Sequence, residues 1–145
     1  MIRMQPQNLD EVLEQVVNAD PRYHREAYHF LREALDYTQR AISKANKGKL
    51  RHVTGQELLA GLRAFALQQF GPMALTLLHE WGVRRCEDFG ELVFNLIDRG
   101  ILSRTDTDSR LDFAGGYDFD EAFRKPFLPA RAPQPAAGAP APQKP

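Results

Sequence analysis

The chain has 145 residues, 43% apolar and 26% charged, and its nineteen Lys and Arg balance nineteen Asp and Glu to a formal net charge of zero. This is ordinary globular composition; the length excludes a TIM barrel or a full dinucleotide-binding enzyme, and the single cysteine excludes an intrachain disulfide and fits a reducing, cytoplasmic setting. No apolar run approaches the ~20 residues a membrane-spanning helix needs, and the opening MIRMQPQNLDEV has no apolar signal-like stretch.

The first expected helix starts at Asn8, with Glu11 as the reciprocal partner of a capping box. Leu9, Val12, Leu13, Val16 and Val17 then recur at helical spacing as one apolar stripe. Asp20 is expected to cap a second helix, with Pro21 in its first position. That helix should run to about Asn46 on a stripe of Ala27, Leu31, Ala34, Leu35, Thr38, Ala41 and Ile42. At 1.5 Å per residue it would be ~39 Å long, so it must lie across the body or against a partner.

Lys47, Gly48 and Lys49 break this helix, and 50–53 could form a short strand. Thr54 and Glu57 make a second capping box before a helix carrying Leu58, Leu59, Leu62, Phe65, Ala66 and Phe70. Gly71 ends it and Pro72 opens a short fourth helix with Leu75, Leu78 and Trp81. After a four-residue turn at 82–85, Phe89, Leu92, Val93, Leu96 and Ile97 mark a fifth helix, capped by Gly100. The runs 101–104 and 110–113 flank a polar loop and predict a β-hairpin, with Leu102 and Leu111 sealing it to the core. Tyr117, Phe119, Phe123 and Phe127 argue that 114–127 packs back on the body. From 128 to Pro145 the chain is rich in Pro and Ala and reads as a disordered, polyproline-leaning tail.

The order of elements predicts a mainly α protein. An N-terminal helical pair and basic loop (1–53) precede a winged-helix-like module of three helices and a hairpin (54–113), an aromatic extension (114–127) and the tail (128–145). A plain helical bundle with an incidental hairpin is the alternative. The stretches DPRYHREAYHFLREALDYTQ, HVTGQELLAGLRAFALQQFGPMA and EDFGELVFNLIDRGILSRTDTDSRLDFAGGYDFDEAF resemble a small family of uncharacterised bacterial proteins largely restricted to the planctomycete and verrucomicrobial lineage. The resemblance covers roughly 8–127, implies a soluble bacterial protein and carries no catalytic residues with it.

Charge tests whether the helix-turn-helix order means DNA binding. Segment 56–113 holds six Lys and Arg against nine Asp and Glu, a net of −3. The helix that would enter the groove carries Glu87, Asp88, Glu91 and Asp98 against Arg99, and the wing loop carries Asp106 and Asp108. DNA presents one negative charge per ~1.7 Å of duplex, so an acidic reading head is repelled. One basic segment exists, RAISKANKGKLRH, with Arg40, Lys44, Lys47, Lys49 and Arg51. Cations near a helix C-terminus offset the macrodipole; contact with phosphate, joined by Arg84 and Arg85, is the alternative.

Chemistry-bearing constellations are sparse. His24, His29, His52 and His79 are scattered, and 106–110 begins like a calcium loop but places Arg110 at its fifth position. Asp118 or Asp120 is expected to cap a short helix. Cys86 follows Arg84 and Arg85 at a helix N-terminus, which lowers a thiol pKa, while Glu87 and Asp88 oppose that. With no base nearby in sequence it reads as incidental. No cofactor, metal or small-molecule substrate is expected. Tyr28, Leu67 and Phe94 lie off their stripes, as core packing or as a recognition patch. The expected function is a non-enzymatic adaptor that binds another protein or a second copy of itself through Glu91, Phe94, Asp98 and Arg99. The alternative is a nucleic-acid-binding regulator using the basic 40–52 segment.

Overall fold

A computed structural model describes residues 3–4, 9–48, 52–105 and 108–129. The protein is mainly helical: β1 (Arg3–Met4), α1 (Leu9–Ala19), α2 (Arg25–Ala45), α3 (Gly55–Phe70), α4 (Ala74–Glu80), α5 (Cys86–Asp98) and β2 (Leu102–Ser103). Short 3-10 and π turns complete it at Gly71–Met73, Arg110–Phe113, Asp120–Arg124 and Lys125–Phe127. Buried side chains from Leu9 to Phe123 form one continuous cluster.

The apolar periods place α1, α3 and α5 as expected. Leu9, Leu13 and Val16 are buried on α1, and Phe89, Leu92, Val93 and Leu96 on α5. The Thr54 capping box forms: Glu57 N–H donates to Thr54 Oγ1 at 3.1 Å and Thr54 N–H to Glu57 Oε1 at 3.0 Å. At the end of α5, Gly100 adopts φ 78° and Ile101 N–H reaches back to the Leu96 carbonyl at 2.9 Å. This closes the helix with a left-handed cap that glycine accommodates without strain.

The second helix starts later than expected. Asp20 does not cap it. Its carboxylate accepts from Arg22 N–H, Nε and Nη2 and from Asn95 Nδ2. Residues 20–23 therefore form a turn, and His24 becomes the N-cap, its Nδ1 accepting from Glu26 N–H at 3.0 Å. The helix crosses the body and packs most extensively on α3. Its buried residues end at Thr38, so its last turns overhang the core.

The expected hairpin is replaced. Leu102 and Ser103 pair antiparallel with Met4 and Arg3 at the other end of the chain. Residues 110–113 form a 3-10 turn instead of a strand. Ser109 Oγ accepts from Leu111 N–H at 3.1 Å, and Asp112 Oδ2 accepts from Ser109 N–H at 3.0 Å. Ser109 and Asp112 thus carry the same capping pattern as Thr54 and Glu57, and local capping overrides the β-like composition. Leu102 is buried, but Leu111 is 79% exposed and seals nothing. The aromatic extension packs back through Phe119 and Phe123, whose rings sit 5.0 Å apart with Phe89 5.5 Å from Phe119. Phe127 stays 42% exposed. Asp118 does cap the turn that follows, accepting from Glu121 N–H at 3.1 Å. Of the tail, Leu128 and Pro129 are exposed and 130–145 lie outside the described residues.

Where α2 crosses α3, Gly61 meets Thr38 so closely that a Cβ on Gly61 would overlap the Thr38 side chain. Thr38 cannot turn away cheaply, because its buried hydroxyl donates to the Ala34 carbonyl at 2.7 Å. Gly61→Ala is expected to destabilise the protein by ~1–3 kcal/mol through overpacking. A lowered thermal midpoint checks this, with exposed Gln68→Ala on the same helix leaving the midpoint unchanged.

Candidate protein-interaction surface

The turn at 20–23 folds onto the outer side of α5 and decides what that side presents. Arg22 Nη2 bridges Asp20 Oδ2 at 2.7 Å and Glu91 Oε1 at 3.1 Å, and Arg110 Nε donates to Glu91 Oε2 at 3.0 Å. Asn95 Nδ2 donates to Asp20 Oδ2 at 2.9 Å and to the Tyr28 hydroxyl at 3.1 Å. Tyr23, 2% exposed, donates its hydroxyl to Asp88 Oδ1 at 2.6 Å. Burial, then the Asp88 carboxylate, pushes the Tyr23 phenol well above its usual range. The Arg22 side chain, with help from Asn95, holds the Asp20 carboxyl down at about 2.

The four expected contact residues fare differently. Phe94 is 6% exposed, covered by the guanidinium groups of Arg110 at 4.9 Å and Arg104 at 5.7 Å from its ring centre. It is a core residue and offers no apolar anchor. Tyr28 is buried too, whereas Leu67 is only partly so. Glu91 is half-buried between two arginines. Asp98 and Arg99 are exposed, and Arg99 Nη1 donates to Gln15 Oε1 of α1 at 3.2 Å. Glu91, Asp98 and Arg99 do come together, with Asp20, Arg22 and Arg110, around a polar cleft of about 440 Å³. Three arginines meet three carboxylates there, so the cleft itself carries no net charge, while Glu87 and Asp88 keep the first turn of α5 acidic.

The basic residues are split between two ends of α2. Arg40 pairs with Asp36 at 2.7 Å, and Lys44 and Lys47 are exposed at the helix C-terminus. Lys49 and Arg51 lie outside the described residues. Arg84 and Arg85 are exposed beyond the opposite end, where the Trp81 carbonyl accepts from His24 N–H at 3.0 Å. The 21 residues of α2 span ~30 Å, so these cations do not form one continuous patch.

A further surface lies along α3, where Leu67 was expected as core packing or as a recognition patch; the large exposed apolar side chains, Met73, Leu111, Phe127 and Leu128, lie outside this helix. Two grooves flank its outer ridge. One, about 640 Å³, runs between α3 and the loop at 112–117, with Leu59, Arg63, Leu67 and Tyr117 in its walls. The other, about 510 Å³, runs between α3 and α2, with Tyr37, Ala41, Ile42 and Gly61. Ala60 and Ala64 line both, and both are exposed. Charge on GQELLAGLRAFALQQF is limited to Glu57 and Arg63, and its exposed positions are Gln56, Ala60, Arg63, Ala64, Gln68 and Gln69, two alanines among polar side chains.

Cys86 is 1% exposed, and its Sγ contacts the Tyr117 carbonyl and N–H, each at 3.3 Å. Burial pushes its thiol pKa up, against the lowering that its helix-start position suggested. Asp108 is buried and accepts from Thr105 N–H at 2.9 Å, while 106–107 lie outside the described residues. Among the described residues no group of three metal-ligating side chains is found, and no helix is long and apolar enough to cross a membrane. Comparison with protein-family models, curated proteins and solved structures returned no match.

Asp20 makes stability depend on acid pH. Its folded pKa, about 2, lies below its ordinary 3.8, so its contribution is complete above about pH 4 and drains away as pH falls through the folded value. Asp20→Asn is expected to lower the thermal midpoint at neutral pH and to reduce the further loss between pH 4 and 2, as read by calorimetry across that range.

Proposed function

We infer that this chain is a non-enzymatic protein-interaction module whose contact face is the outer ridge of α3. The observation that carries this is the pair of grooves that meet along Ala60 and Ala64 of α3. On its exposed side α3 leaves Ala60 and Ala64 uncovered between two grooves, with Gln56, Arg63, Gln68 and Gln69 around them. Small residues on the crest let a partner backbone come close, and the flanking grooves accept larger side chains at i, i+3 and i+4 spacing, the way an amphipathic helix docks.

The adaptor reading from sequence is kept, and its contact residues move. Glu91, Asp98 and Arg99 would form a polar rim remote from the contact, and Phe94 serves the core. Of the winged-helix-like scaffold we keep the order α4, turn, α5 and drop the wing. Nucleic-acid binding is the weaker reading, because its cations sit at opposite ends of α2 and part of the outer side of α5 is engaged within the protein itself.

The test is affinity capture of the full chain from its native cells, with quantitative mass spectrometry and light scattering for self-association. Ala64→Glu is expected to weaken the captured complex or the self-association by at least ~30-fold, the scale of an interface hot spot, with the thermal midpoint unchanged. Charge reversal of Asp98 should leave binding intact. Equal binding by wild type and Ala64→Glu rejects the α3 face.

A further inference from the structure

Leu111 is the most exposed large apolar side chain among the described residues. Its turn holds it outward. Arg110 Nε donates to Glu91 Oε2 at 3.0 Å, and Phe113 is buried against Gly90 of α5. Asp112 packs on the start of α3, where a Cβ on Gly55 would meet the Asp112 Cβ at 2.8 Å. The capping pair of Ser109 and Asp112 closes the turn around them. With these neighbours anchored, Leu111 stands in water as a fixed apolar knob. An exposed leucine alone says little, but this one stands beside a hole.

The groove of about 640 Å³ between α3 and the loop at 112–117 begins at the next residue, since Asp112 is part of its wall. Leu59, Leu67 and Tyr117 give it an apolar lining. Arg63 stands among them, its guanidinium 6.0 Å from the Tyr117 ring centre. No carboxylate among the described residues pairs with it. Across the groove, Asp112 accepts the Ser109 N–H on Oδ2 at 3.0 Å, and no donor among the described residues occupies Oδ1. A knob, a hole, an unpaired cation and a carboxylate oxygen therefore lie side by side. A twofold contact needs such a self-complementary patch, because the same surface must meet its own copy. The formal net charge is zero, so no long-range repulsion keeps two copies apart.

We propose that the occupant of this groove is a second copy of the chain. In a twofold dimer, Leu111 of each copy enters the other's groove against Leu59, Leu67 and Tyr117, and Arg63 of each pairs with the partner's Asp112. The proposal rests on α3 as the contact face and names what covers it. Leu111 loses little freedom on docking, because its turn is already anchored. The charged pair fixes register more than it adds affinity.

Sedimentation of the full chain over a concentration series is expected to show a reversible monomer–dimer equilibrium. Leu111→Arg sets a cation against the partner's Arg63 and should raise the dimer dissociation constant at least ~10-fold. The circular dichroism of the monomer should stay unchanged, because Leu111 is 79% exposed. Ala64→Glu, on the wall of the groove, should weaken the dimer as much. Mixed in equal amounts, the two variants are expected to form a heterodimer, seen by native mass spectrometry. One groove then keeps its leucine, and in the other the introduced arginine meets the introduced glutamate. A wild type that stays monomeric at every concentration overturns the second copy as occupant and leaves the α3 face to a different partner. A dimer that Leu111→Arg leaves intact, or a mixture without heterodimer, also overturns the proposal. A dimer weakened by Leu111→Arg and untouched by Ala64→Glu overturns both readings, since the knob then docks outside α3.

Discussion

The constraint on which the rest depends is the turn at 20–24 held against α5. Tyr23 reaches Asp88, Asp20 reaches Asn95, and Asn95 reaches Tyr28, each within 3.1 Å. The exposed arm from Arg22 to Glu91 adds little by itself, since solvent screens such pairs. The half-buried bonds matter more, because breaking one leaves a polar group without its partner. They set where α2 begins and the direction in which it leaves α5. From there α2 crosses α3, and the contact of Gly61 with Thr38 fixes how near it lies.

Two surfaces follow from that arrangement. On the outer side of α5, Arg22 and Arg110 hold Glu91, Phe94 is enclosed, and Asp98 and Arg99 stay exposed. On α3, α2 and the segment at 110–117 engage the flanks, the latter with the Tyr117 hydroxyl donating to the Leu59 carbonyl at 2.8 Å, and Ala60 and Ala64 between them stay exposed. Part of the outer side of α5 is thus engaged within the protein itself, through Tyr23, Arg22 and Arg110.

Much of the fold was legible because its signals are local. Capping pairs at Thr54 and Glu57, the Gly71 to Pro72 boundary and the Gly100 cap each act within a few residues. The start of α2 was not, since Asp20 is drawn off by Asn95, 75 positions away. Residues 110–113 depart from the strand their composition predicts for the opposite reason, a local capping pair of Ser109 and Asp112. The exposure of single side chains was less legible. Whether Phe94 is covered depends on Arg104 and Arg110, and whether Ala60 and Ala64 are open depends on what no other element reaches.

Hydroxyl-radical footprinting of the full chain, free and in the complex it forms, tests the central claim most directly. Protection is expected at Leu67 and Tyr117 on the walls of the α3 groove, with the surface around Asp98 and Arg99 as reactive bound as free. Protection centred on residues 91–99, with the α3 ridge unchanged, would contradict it.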